Sequence, residues 1–149
     1  PHSRREVALV KTFEEWKAFV EGPAREADTL LILGASGLVQ AASNPQSVPV
    51  DSVIAWTEAQ SRALPIGLHS SYVRQGGGFA LSSPRAEQGR LAALYALDWL
   101  GRSNSGSPMA PAEMRHFDVS IRTSKLARRN IQLPAVYTEA ARSVDNLYP

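Results

Sequence analysis

The sequence contains no cysteine, which excludes disulfides, thiolate nucleophiles and cysteine-ligated zinc. It contains no run of about 18 apolar residues, so no segment reads as a membrane-spanning helix. A basic leader with an apolar stretch is not visible either, and a mature exported protein would lack one. Charge of one sign is scarce: 16 basic residues against 14 acidic leave a formal net charge of +2. The one local excess is Arg122, Lys125, Arg128 and Arg129. Nucleic-acid binding would call for aromatics interleaved with such a cluster; none are there, and the cluster reads as a solvated helix face.

What is there is an ordinary soluble composition. The 149 residues are 44% hydrophobic and 20% charged, enough for one domain with a real core. Apolar runs at Glu6 to Val10, Thr29 to Leu33, Pro65 to Leu68, Phe79 to Leu81 and His116 to Ile121 read as strands. Helical spacing separates them. Thr12 and Glu15 form a capping box ahead of Phe13, Trp16, Phe19 and Val20, and Gly22-Pro23 stops that helix. Residues 43 to 51 read as a loop, and Asp51 or Ser52 caps a helix through Val53, Ile54, Trp56, Ala59 and Gln60. Ser83-Pro84 opens a helix that turns Leu91, Leu94, Tyr95, Leu97 and Leu100 inward. Residues 102 to 115 read as a linker or crossover. Thr123 caps a short helix ended by Asn130 in the left-handed region, and Leu133-Pro134 leads to a last helix, Val136 to Val144. Strands alternating with helices predict a three-layer, doubly wound α/β domain with a mainly parallel sheet.

Motifs of catalysis fail on inspection. Gly34-Ala35-Ser36-Gly37 lies at a strand exit, but a nucleophile elbow needs glycine two places after its serine, where Leu38 stands. As a dinucleotide turn the same stretch lacks the third glycine, with Val39 and Gln40 in its place, and a strand and helix already precede it. Gly76 to Gly78 could cradle a phosphate, yet no Gly-Lys-Ser/Thr follows. His69 has no second ligand at metal spacing. Glu14-Glu15 suits the first turn of a helix rather than paired acid–base work.

Small polar residues do recur at the carboxyl ends of successive strands: Thr12, Ala35 and Ser36, His69 to Ser71, and Ser82 to Ser83. In an open α/β sheet those ends share one edge, where ligands bind. Helix amino termini at Thr12, Ser36 and Ser83 would aim amides at the same edge. This is hydrogen-bonding chemistry without a nucleophile, metal or cofactor.

The segments VALVKTFEEWKAFVE, DTLLILGASGLV, LPIGLHSSYVRQGGGFALSSPRAEQGRLAALYALDWL and FDVSIRTSKLARRNIQLP, taken in order over roughly residues 7 to 136, resemble the ABC transporter substrate-binding family that includes tryptophan- and tyrosine-associated binding proteins. No single motif carries the resemblance; order and spacing do. It implies the second lobe of a type I periplasmic-binding fold, in which two α/β lobes joined by three crossovers close on a ligand by hinge motion. It implies a further lobe on the order of a hundred residues ahead of Glu6, a permease as partner of the whole protein, and a periplasmic or extracellular location. The ligand would be a small polar or amino-acid-like molecule, touched by Thr12, Ala35, Ser36, Ser70, Ser71, Ser82 and Ser83. The family often has an aspartate after its second strand; Gly34-Ala35-Ser36 stands there, which puts an ammonium-bearing ligand in doubt. The helix from Pro84 to Leu100 would belong partly with the other lobe, so alone it would leave an apolar face to be covered by a homodimer, a partner chain or repacking. Two other readings stay open: a flavodoxin- or Rossmann-like enzyme using a nucleotide or phosphate at Gly34 to Gly37, and a lobe serving protein interaction alone.

Overall fold

The computed structural model describes residues 6–101 and 115–149; most of the predicted linker, 102–114, lies outside them. α1 (Phe13–Glu21) begins at the predicted capping box. The Thr12 Oγ1 accepts from the Glu15 amide at 3.1 Å, and Glu15 Oε2 accepts from the Thr12 amide at 3.1 Å and the Lys11 amide at 2.8 Å. These bonds to the ionised form hold the Glu15 carboxyl below the usual carboxylate range. A 3-10 turn, Pro23–Glu26, ends the helix and delivers the chain to β1 (Thr29–Ile32).

A short hairpin follows, β2 (Val39–Ala41) against β3 (Asn44–Ser47). Then come α2 (Val50–Gln60), β4 (Leu64–Gly67), the single-turn α3 (Ser71–Arg74), β5 (Phe79–Ser82), α4 (Arg85–Gly101), β6 (Asp118–Arg122), α5 (Thr123–Arg128), α6 (Ala135–Ser143) and β7 (Leu147–Tyr148). The five-stranded sheet has the order β1-β4-β5-β6-β7. β1, β4 and β5 run parallel; β6 is antiparallel to β5, and β7 is parallel to β6.

Helices cover the two faces of this sheet. On one face Val20, Leu30, Ile32, Val53, Ile54, Tyr72 and Val73 form a core under α1 and α2. On the other, Phe79, Val119, Ile121, Leu126 and Ala141 pack beneath α5 and α6. The domain is therefore the three-layer, mostly parallel α/β arrangement that the alternation of elements predicts. β1 alternates exposed and buried residues: Leu30 and Ile32 face the first core, while Leu31 and Leu33 on the other side are exposed, since α5 and α6 lie over the far strands.

Several local expectations are corrected. Residues 6 to 10 form no strand. A lone strand needs a neighbour for its amides and carbonyls, and the described residues offer only a parallel bridge from Thr12 to Val39 and a bond from the Val39 amide to the Lys11 carbonyl. Ser36 starts no helix, because the chain turns at Gly37 (φ +80) into the hairpin. The alternation of His116 to Ile121 predicts a strand with one exposed face, yet in β6 Val119, Ser120 and Ile121 are all buried because core lies on both sides. α2 begins at Val50 without a side-chain cap from Asp51 or Ser52, and it buries Val53, Ile54, Thr57 and Glu58 with Trp56 packed at the core's margin. Thr123 is the first residue of α5 and not its cap. Asn130 does take the left-handed conformation, at φ 55.

α4 departs furthest from expectation. None of its 17 residues is buried: Leu91 and Tyr95 are half-covered, while Leu94, Leu97 and Leu100, also expected inward, are exposed. It leaves the sheet at the end of β5 and touches the rest of the domain near its start. There Glu87 Oε1 accepts from the Arg115 amide at 3.2 Å and stands 3.2 Å from the His116 Nδ1.

The basic group near the carboxyl terminus is also not a simple solvated face. Arg129 reaches into the domain and donates to the carbonyls of Glu58 and Ser61. Arg122 donates to the Val73 carbonyl at 3.0 Å and lies over the Tyr148 ring. Both guanidinium groups answer carbonyls or an aromatic face inside the fold and are not free to meet a phosphate backbone.

Candidate functional site

The parallel strands β1 and β4 end side by side, with Ile32 level with Gly67. Beyond Ile32 the chain runs through Leu33, Gly34, Ala35 and Ser36; beyond Gly67 it runs through Leu68 and His69 into α3. These two exits diverge around a crevice of about 320 Å³, open to solvent and closed behind by the first turns of α2. Its floor is apolar, from Ile32, Val50 and Ile54, with the exposed Leu33 at its mouth, and its polar rim is Ser36, His69, Ser71 and Gln75.

The wall on the α3 side is rigid for reasons visible in the sequence. Tyr72 is buried and lines the crevice. A Cβ at Gly67 or at Gly77 would overlap its side chain, so both positions need glycine for the ring to lie flat against the backbone. The Tyr72 hydroxyl donates to Glu58 Oε1 at 2.8 Å, and the same oxygen accepts from the Gly78 amide at 2.8 Å. Arg129 Nε lies 3.9 Å from Glu58 Oε2. Burial, followed by the nearby Glu58 charge, pushes the Tyr72 phenol far above its ordinary value, so the ring is neutral at any physiological pH. This cluster ties α2, α3, the start of β5 and α5 together behind the crevice.

Of the residues singled out in the sequence, Ala35, Ser36, His69 and Ser71 come together in the crevice. Thr12 is buried as the cap of α1, and Ser70 sits immediately ahead of α3 without lining the cavity. Ser82 ends β5 opposite Asp118 of β6; with Ser83 it lies at the same sheet edge, two strands from the β1 exit, outside the crevice. Sequence reasoning missed Tyr72, Gln75, Val50 and Ile54. The signal for Tyr72 was present in the glycines that flank it at 67 and 77.

Two stretches of chain meet the sheet at this edge, while Lys11 and Thr12 lie against Val39 of the separate hairpin. β5 leaves at Ser82 toward α4, and β6 enters at Asp118 directly beside it. A second depression of about 330 Å³ lies between α5 and α6 next to Ile121, Leu126 and Leu133. It opens near the opposite edge, where Ile121 pairs with Phe79 and the parallel pair β6 and β7 ends; none of the polar residues singled out at the strand ends in the sequence lines it. Among the described residues no group of three or more His, Asp or Glu side chains could hold a metal ion, and no helix is long and apolar enough to cross a membrane.

No family model matches the chain, and no curated protein matches it in sequence. Among solved structures it is similar to a conserved domain protein from Vibrio cholerae O1 biovar El Tor, with a TM-score of 0.53 and 18% sequence identity. The alignment covers 89% of this chain and 42% of that one. The chain thus spans less than half the length of the structure it resembles, and at that identity the likeness concerns the fold.

Proposed function

We propose that this domain is one ligand-binding lobe of a solute-binding protein, serving an ABC-type importer or a related sensor and taking a small polar or amino-acid-like molecule. The observation that carries the reading is the crevice at the ends of β1 and β4, on the same edge where the chain leaves the sheet after β5 and re-enters it at β6. Ligands of open α/β sheets bind outside the carboxyl ends of parallel strands. A lobe connected to a second one through that edge would hold its ligand between the two and close by bending the connections. The bare flank of α4 fits the same reading, because a helix carried on one connection would pack on the other lobe. The rim supplies hydroxyl, imidazole and amide groups suited to orienting a ligand, with no base set beside a hydroxyl to activate it. Location outside the cytoplasm and a permease partner belong to this proposal.

The test is a thermal-shift titration of the domain and of the full-length polypeptide with amino acids, simple sugars, NAD, FMN and nucleoside phosphates. A ligand bound only to the native state raises the melting temperature by mass action. The reading expects a shift with an amino acid or similar solute, larger in the full-length polypeptide. A shift with NAD, FMN or a nucleoside phosphate in the domain itself overturns it in favour of an enzyme at Gly34 to Gly37.

A further inference from the structure

The crevice also constrains what part of a ligand it can hold. Its lining contains no Asp, Glu, Lys or Arg. The nearest buried carboxylate, Glu58, lies behind Tyr72 with the Tyr72 hydroxyl, the Gly78 amide and the Arg129 guanidinium around it, so its charge is already answered. The α2 end that closes the crevice is not free for an anion either. Asp51 sits in its first turn with Oδ1 accepting from the Ser52 amide at 2.8 Å, which places a negative charge where the helix dipole would otherwise favour one from outside. Ile32, Val50 and Ile54 form the apolar part of the lining, and an ionic group held against them without a counter-charge gives up part of its hydration uncompensated.

We infer that the portion of the ligand held by this lobe is uncharged: an apolar body with one or two neutral hydrogen-bonding groups, met by Ser36, His69, Ser71 and Gln75. The inference rests on the solute-binding reading above and deepens it by naming the ligand class of that site. An amino acid accepted here would present a neutral side chain to this crevice, with its ionised groups outside it.

The experiment is calorimetric binding to the full-length polypeptide of matched pairs that differ in one charge, glutamine against glutamate and norleucine against lysine. The neutral member is expected to bind about tenfold or more tightly, since a site without a partner for the altered group rejects it. Replacing Ser71→Asp is expected to reduce or reverse the norleucine preference over lysine, whereas Ser71→Ala is expected to weaken binding and leave the preference standing. Equal or tighter binding of the charged member by the wild-type protein overturns the inference while leaving the solute-binding reading in place. Preference unchanged in Ser71→Asp also overturns it, because the ligand would then lie elsewhere. If no member of any pair binds and no amino acid or simple sugar raises the melting temperature of the full-length polypeptide, the solute-binding reading itself fails and takes the inference with it.

Discussion

α2 and α4 look alike as sequence and behave as opposites in the structure. Both carry apolar residues at helical spacing, yet α2 buries Val53, Ile54, Thr57 and Glu58 while α4 buries nothing. Leu97 and Trp99 of α4 are 67% and 71% exposed. α2 lies across the sheet against α1: the Phe13 and Trp56 rings meet edge to face, and the Trp16 indole donates to Thr57 Oγ1 at 2.9 Å. Among the described residues α4 makes its hydrogen bonds to other segments near its start, and only Leu91 and Tyr95 of its apolar residues are half-buried. The difference teaches that periodicity reports which side of a helix is apolar, and not whether a surface exists to receive it. α4 persists as a helix because Ala, Leu, Arg, Gln and Glu dominate it, though a helix of that length standing alone is marginal in water.

The comparison can be broken by mutation. Glu58→Ala removes a buried carboxylate with three partners and leaves Arg129 uncompensated, so a loss of about 3 kcal/mol in urea unfolding is expected. Glu58→Gln retains the bulk and gives a folded variant in which the loss is expected to be smaller. A change below about 1 kcal/mol in Glu58→Ala would mean that α2 is not the anchor described. A pair of glycines makes the contrast sharper. Gly77→Ala drives a Cβ into the Tyr72 ring and is expected to destabilise by about 1–3 kcal/mol. Gly89→Ala lies in α4 with nothing near its Cβ and is expected to stabilise the helix by about 0.5–1 kcal/mol. Opposite signs are the expected result, read from the denaturation midpoint for Gly77→Ala and from amide exchange along α4 for Gly89→Ala.

Alkaline titration probes the same anchored region. The Tyr72 phenol is raised in the folded state by burial and then by Glu58, so its contribution to stability is complete below the unfolded tyrosine value of about 10 and declines as pH rises above it. Each pH unit above that point is expected to cost up to about 1.4 kcal/mol, and Tyr72→Phe should remove that part of the slope. An identical slope in both proteins would show that Tyr72 is not held as its hydrogen bond to Glu58 implies.

Much of the layer order was legible before the structure, and the reasons it stopped where it did are physical. The capping box at Thr12 and Glu15, the β1 run and the left-handed Asn130 are local: each is decided by a few adjacent residues. The antiparallel entry of β6 is not local, since it depends on where the excursion through α4 rejoins the sheet. β3 escaped notice because Asn44 to Ser47 is wholly exposed and shows no apolar alternation, and the two-residue β7 is too short to show any period. Residues 6 to 10 failed in the other sense, with a strand-like composition and no strand beside them. In the crevice, Ala35, Ser36, His69 and Ser71 were legible from strand ends alone. Tyr72 and Gln75 were not, because α3 is a single turn that leaves no periodic trace.

The smallest effect bears hardest on α4. Leu97→Ser in an exposed helix position with no packing partner is expected to change the stability of the isolated domain by less than about 0.5 kcal/mol. Amide exchange along Leu91 to Leu100 should be faster than along Val53 to Glu58, since α4 buries none of its residues while α2 buries four. In the full-length polypeptide the lobe reading expects the reverse: slow exchange in α4, and a cost for Leu97→Ser of about 1 kcal/mol or more, as for a buried position. If Leu97→Ser already costs that much in the domain alone, and exchange there is slow and varies with protein concentration, α4 is covered by a second copy. The small number in the isolated domain therefore separates a helix awaiting its own lobe from one that draws in another molecule.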